Sequence, residues 1–277
     1  MIARVFPRKT NVTPDDEYVY FGDPPLFGLQ DDITEVHVST TFTWDIPYAD
    51  YLAKSWERTG LPVKIGGVAF GDAGGQFEPG MYLKKGHVIT SRGCCNKCWF
   101  CDVWKRTNGL VELEVREGNI LHDDNILACS PEHIQKVFAM LATQKNVDLK
   151  AIEAKLLTRE HVNLISSIKL QQIWCAYDTP DDLEPLIEAG KLLKEANITI
   201  KNRKPRCYVL IGYPKDTIEQ AKKRMHETIL AGFIPFAMYY QGHKYKEPSS
   251  DWSKFRHSWT RVPAIMTEVK KLIGVKG

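Results

Sequence analysis

The sequence predicts an α/β protein. From Glu35 onward, short β-rich runs alternate with amphipathic stretches, as expected for strands of a mostly parallel sheet with covering helices. Helix starts are marked where Ser130-Pro131 and Thr179-Pro180 each supply a capping oxygen followed by proline at the first helical position. Residues 66–80, with six glycines and one proline, show little periodicity and read as a long connection.

In chain order, a strand over 35–42, a helix over about 47–58 and a strand over 63–69 make one βαβ turn. The glycine-rich connection follows, with a soft boundary near residue 85. Residues 1–85 are thus an N-terminal βαβ unit and 86–277 the main body. Further strands are expected at 87–91, 119–123, 151–157, 172–177, 206–211 and 234–240. Within 151–157, Glu153 and Lys155 carry no β preference. After Ser130, the spacing of Ile134, Val137, Phe138 and Leu141 puts them on one helix face against the sheet, and Leu183, Leu186, Ile187 and Leu193 do the same after Thr179. Thr217-Ile218-Glu219-Gln220 reads as a capping box. There is no internal repeat and no low-complexity tract.

With 277 residues, 43% apolar and 26% charged, the chain is in the ordinary globular range. Its apolar runs fall far short of the roughly 20 residues that span a bilayer, and the first residues, Met1 to Arg8, lack the apolar core of a signal peptide. A soluble, cytoplasmic protein is expected. A net charge of +3 and a pI near 8.4 do not by themselves indicate a nucleic-acid binder, although a nucleic-acid partner stays open. The cluster Lys201, Arg203, Lys204 and Arg206 reads as a solvated basic loop.

Four of the seven cysteines, Cys94, Cys95, Cys98 and Cys101, fall within eight residues, a distribution that argues against disulfides. They follow directly on the run 87–91, so the thiols belong to a loop at a strand's C-terminal end, the ligand edge of α/β folds. Thiolates suit iron–sulfur clusters or zinc. A structural zinc site needs four protein ligands, and no second Cys/His pair of suitable spacing follows. An electron-transfer cluster with four cysteine ligands would need Cys95 as well, and adjacent Cys94 and Cys95 point in different directions.

The spacing C-x3-C-x2-C, with the aromatic Phe100 just before the last cysteine, resembles the signature of the radical S-adenosylmethionine (SAM) superfamily. The resemblance implies that Cys94, Cys98 and Cys101 hold three irons of a 4Fe–4S cluster, leaving the fourth iron open to the amino and carboxylate groups of SAM. The alternative trio, Cys95, Cys98 and Cys101, has the spacing C-x2-C-x2-C. The resemblance covers residues 86–240. It implies that Asp123-Asp124-Asn125, similar to the acidic motif of the cobalamin-associated branch, contacts the SAM amino group. By the same resemblance Lys155 holds the SAM carboxylate, unless it is a solvated lysine. Asp178 meets the ribose hydroxyls, or else serves the following helix start through the macrodipole. Ile211 and Gly212 flank the adenine, and Phe100 belongs to the same cofactor site.

The fold so implied is a partial, six-stranded (β/α) barrel of TIM-like type, preceded by a degenerate cobalamin-binding-like unit. The Asp-x-His-x-x-Gly segment that supplies the lower cobalt ligand in that branch is absent. The implied activity is reductive cleavage of SAM, by an electron from a flavodoxin or ferredoxin, to a 5′-deoxyadenosyl radical that takes hydrogen from an unidentified substrate. A non-catalytic iron–sulfur redox or sensor protein is the alternative. Tyr239, Tyr240, Gln241 and His243 are expected at the open end of the barrel, with Trp99 and Trp104 shielding the cysteine loop. Cys129, Cys175 and Cys207 read as buried thiols or as ligands of an auxiliary cluster.

Overall fold

The computed structural model describes every residue except 73, 151, 243–246 and 275–277. The first strands are β1 (Ile2–Phe6), β2 (Val19–Phe21) and β3 (Glu35–Ser39); helix α1 (Ile46–Trp56) then leads to β4 (Val63–Gly66). These strands form one parallel sheet in the order β2-β1-β3-β4. The expected βαβ turn is therefore present as β3-α1-β4, extended by two strands that the sequence reading did not assign. β1 is only five residues long and carries Arg4 among its apolar residues, so it shows no alternation. Its register with β3 and the packing of Ala3 and Val5 against Val36, Val38, Leu52 and Trp56 make it a strand.

The rest of the chain adds β5 (His87–Val88), β6 (Ser91–Arg92), α2 (Val103–Arg106), β7 (Val111–Glu112) and β8 (Ile120–Leu121). There follow α3 (Pro131–Thr143), β9 (Val147–Leu149), α4 (Arg159–Ser166), β10 (Leu170–Tyr177), α5 (Leu183–Glu195), β11 (Pro205–Ile211), α6 (Ile218–Leu230), β12 (Ile234–Tyr239), α7 (Ser250–Ser258) and α8 (Val262–Ile273). The second sheet is six-stranded and parallel, in the order β12-β11-β10-β9-β8-β5, with β6 and β7 forming a separate antiparallel pair. Each strand lies beside the next strand of this sheet in sequence. Because such crossovers are right-handed, the connecting helices all return on the same face. Ile173, Cys175, Cys207, Val209 and Ala237 on that face are buried, whereas Ala176 and Met238 on the other are exposed. Among the described residues, no helix is long and apolar enough to cross a membrane.

Two expected strands are corrected. The run 151–157 is not a strand: β9 lies earlier, at Val147–Leu149, where Val147 and Leu149 are fully buried, and residues 154–156 form one 3-10 turn. Ala151, the first residue of that run, lies outside the described residues. The run 87–91 splits, because only His87 and Val88 join the large sheet while Ser91 and Arg92 turn away to pair with β7.

Gly190 shows how tightly the helix layer is packed. A Cβ at this position of α5 would stand 1.8 Å from the carbonyl oxygen of Ala231, a backbone atom that cannot swing aside. Gly190→Ala is expected to lower unfolding stability by about 3 kcal/mol, and urea melts that coincide with those of the unsubstituted protein would contradict this packing.

Candidate iron–sulfur site

The cysteine loop is fixed at its root by a buried carboxylate. Asp123, two residues past β8, accepts hydrogen bonds from the Thr90 amide (2.6 Å), the Thr90 hydroxyl (2.6 Å) and the Ser91 hydroxyl (2.7 Å). Asp123 is 2% exposed, and burial pushes its carboxyl up although these donors pull it down. The next residue continues the clamp, with Asp124 accepting from the Gly93 amide at 2.8 Å. Gly93 has φ +88°, and a Cβ there would meet the Gly109 carbonyl oxygen at 2.1 Å. Two strand ends and one glycine thus set where the thiols begin.

Cys94 receives two donors: the Asn96 amide at 3.4 Å and the Asn125 side-chain nitrogen at 3.6 Å. Asn96 is itself held by Glu153, 2.7 Å away across the loop. Cys98 is half-buried, and burial, reinforced by Cys101 and Cys94, pushes its thiol up to about 11. Cys101 is raised chiefly by burial, with Cys94 again adding to the effect. The three thiols therefore share one neighbourhood, while Cys95 is exposed beside it. Among the described residues, no three His, Cys, Asp or Glu side chains converge where one metal ion could sit.

The loop lies over the ends of the last strands. Trp99 packs against Phe100 (5.4 Å between ring centres), Tyr213 beyond β11 (5.9 Å) and Tyr240 beyond β12 (5.5 Å), yet it remains 55% exposed. It does not close the loop off from solvent, whereas Trp104, donating to the Cys98 carbonyl at 3.2 Å, braces it from within. Of the residues expected at the open end, Tyr240 packs on Trp99, whereas Tyr239 lies on the helix face against Trp252 of α7 at 6.0 Å; the Gln241 amide oxygen is buried without a partner among the described residues, and His243 lies outside them.

The carboxyl of Asp178, at the end of β10, makes no hydrogen bond or ion pair with any described residue; it is pushed up to about 7 by burial, then by Asp182 and Glu153. It also bears on Cys98 electrostatically. The role at the following helical turn belongs to Asp182, which accepts from the Asp178 and Thr179 amides and from the Thr179 hydroxyl. The Asp178 carboxyl thus takes no part in that turn. A carboxyl with its folded pKa raised above its unfolded value favours the fold while protonated, so this contribution is full below pH about 4 and is lost as pH rises to about 7. Melting temperatures of the unsubstituted protein minus Asp178→Asn should fall across that interval. A flat difference would mean that Asp178 is solvated.

Other expected cofactor contacts have partners of their own. Lys155 is half-exposed and pairs with Asp182 at 2.8 Å, so it is neither simply solvated nor free. The Ile211 side chain is fully buried on the helix face, and its carbonyl accepts from the Tyr240 amide at 2.9 Å. Gly212 has φ +71°, and a Cβ would come within 2.2 Å of the Tyr239 ring, so its need for glycine is met inside the chain. Its amide donates to Asp216, which is buried and paired with Arg224 at 2.7 Å. Cys175 and Cys207 face each other in register on the helix side, and Cys129 is buried beneath the loop root.

Glu153, Asn96 and the Asp216–Arg224 pair were not assigned roles from the sequence. Glu153 carried a faint signal, an acidic residue in a run otherwise read as a strand. No protein-family model matches the chain, and no curated protein matches it.

Proposed function

We propose that this protein is a radical SAM enzyme. The observation that carries the reading is the gathering of Cys94, Cys98 and Cys101 at the C-terminal edge of a six-stranded parallel sheet, next to the unpartnered Asp178. The sheet is read as a partial (β/α)6 barrel, consistent with its sequential strand order and helices on one face.

The donor set fits a 4Fe–4S cluster with one open iron: three soft thiolates from one loop, with N–H donors directed at Cys94. Held by Cys94, Cys98 and Cys101, such a cluster would supply one-electron reductive cleavage of SAM to methionine and a 5′-deoxyadenosyl radical, with the electron drawn from a reduced flavodoxin or ferredoxin and hydrogen then taken from the substrate. The chain's own residues position and protect. Asp123 and Asp124 hold the loop root, Asn125 and Asn96 stabilise the Cys94 thiolate, and Glu153 fixes Asn96. Asp178 offers a carboxyl to the SAM ribose, and the aromatic group around Trp99 covers one side of the site. Asn125 can serve both cluster and cofactor, since its carbonyl oxygen is buried without a partner and is available to the SAM ammonium. The four-stranded N-terminal sheet is read as a degenerate cobalamin-binding-like unit without the cobalt-ligand segment.

The test is an anaerobic incubation of iron-reconstituted protein with dithionite and SAM, read by mass spectrometry for 5′-deoxyadenosine. Its formation supports the reading. An intact cluster with no SAM binding would instead make this a non-catalytic iron–sulfur protein.

A further inference from the structure

The face of the large sheet that no connecting helix covers carries a cluster with no role in cofactor binding. Strand register sets Trp174 beside Arg206, and Ala176 beside Tyr208, which has Phe236 on its other side. Trp174 and Tyr208 are stacked, 4.4 Å between ring centres and 20° apart, with Phe236 edge-on to both at 5.9 Å. This aromatic wall is open toward the thiol end of the sheet, where Ala176 is exposed and Met238 is 43% exposed.

At the foot of the wall the polar groups are incompletely satisfied. Arg206 is 7% exposed, and its guanidinium makes no hydrogen bond or ion pair with a described residue, resting instead over the Trp174 ring at 5.8 Å. Its Nε is a buried donor without an acceptor, and the Trp174 Nε1, close enough to the Asp148 carboxyl to pull it down, makes no hydrogen bond of full geometry. Lys150 brings a second cation, and the nearby carboxylate is Asp148, 3.9 Å from the Lys150 ammonium. Two cations thus share one carboxylate. A buried guanidinium lacking a partner costs several kcal/mol unless something supplies one, and its planar fork matches a carboxylate or phosphate.

We propose that this face is the substrate seat and takes a planar-ring molecule bearing an oxyanion group, its ring against Tyr208 and Phe236 and its anion toward Arg206 and Lys150. The inference rests on the radical SAM reading for what then happens to the molecule, but not for binding. The competing account is one ordered water, accepting from Arg206 Nε and Trp174 Nε1 and donating to Asp148 Oδ1, which is also unpartnered.

The experiment is calorimetric titration of the anaerobic, cluster-reconstituted protein, with and without SAM. Two separate arms are used: nucleoside 5′-monophosphates, and aromatic carboxylic acids. Each is matched by its uncharged analogue, the nucleoside or the carboxamide, and inorganic phosphate is run alone. The expected result is binding in one arm, about tenfold weaker for the uncharged analogue and for Arg206→Gln, and weakened by Tyr208→Leu. The arm that binds identifies the source of the anion. If Arg206→Gln does not fold, the comparison of charged and uncharged ligands on the unsubstituted protein still decides. No binding in either arm, or equal binding of charged and uncharged forms, overturns the proposal and leaves the water. Failure of SAM to bind would overturn the enzymatic reading instead, and the titrations without SAM report on the seat independently.

Discussion

Cys98→Ala is expected to leave a folded protein that takes up no cluster, shows none of the broad visible absorption of iron–sulfur proteins after reconstitution, and forms no 5′-deoxyadenosine. Cys98 is the middle thiol of the loop, with both Cys101 and Cys94 bearing on it, so its removal leaves two ligands. Folding should survive because the side chain belongs to neither hydrophobic core. Cys95→Ala is the matched control. Its thiol is exposed and hydrogen-bonds only weakly to Asn96, at 3.8 Å, so iron content should be unchanged. Loss of iron in Cys95→Ala with retention in Cys94→Ala would select the other trio.

Asp123→Ala should damage both the fold and the cysteine loop. It leaves the Thr90 amide and two hydroxyls, all buried, without their acceptor. The hydroxyls can rotate toward other partners, but the amide cannot, and a loss of about 3 kcal/mol in unfolding stability follows. Because Thr90 and Ser91 begin the turn from the large sheet into the cysteine loop, cluster occupancy should fall along with stability. Denaturant melts and iron analysis of the same samples check both. If the variant melts normally and holds a full cluster but binds SAM poorly, Asp123 contacts the cofactor directly, as the family resemblance implies, and the clamp is not its main role.

The chemistry of the loop was legible because it is local. Four cysteines in eight residues and the order of strand-like and helix-like runs are properties of short windows, and the capping residues Ser130 and Thr217 do accept the amide three residues ahead, whereas the Thr179 hydroxyl donates to Asp182 instead. Short polar strands were not legible in this way. β1 and β2 contain too few residues for periodicity to register, and β9 places Asp148 between its two apolar residues, so the expected strand fell on the following, more polar run.

The sequence by itself determined the α/β class, the large sheet's succession of strands and the thiol spacing, since each depends on residue type at fixed separation along the chain. Tertiary structure decided what those residues face. Asp123 and Asp178 are both acidic residues just past strand ends, yet the first is consumed by three donors from a neighbouring segment and the second has none. Arg206, read from the sequence as part of a solvated basic cluster, is buried against Trp174 because register brings β10 and β11 together there. Burial and partner choice depend on contacts between residues far apart in the chain, and no local window contains them.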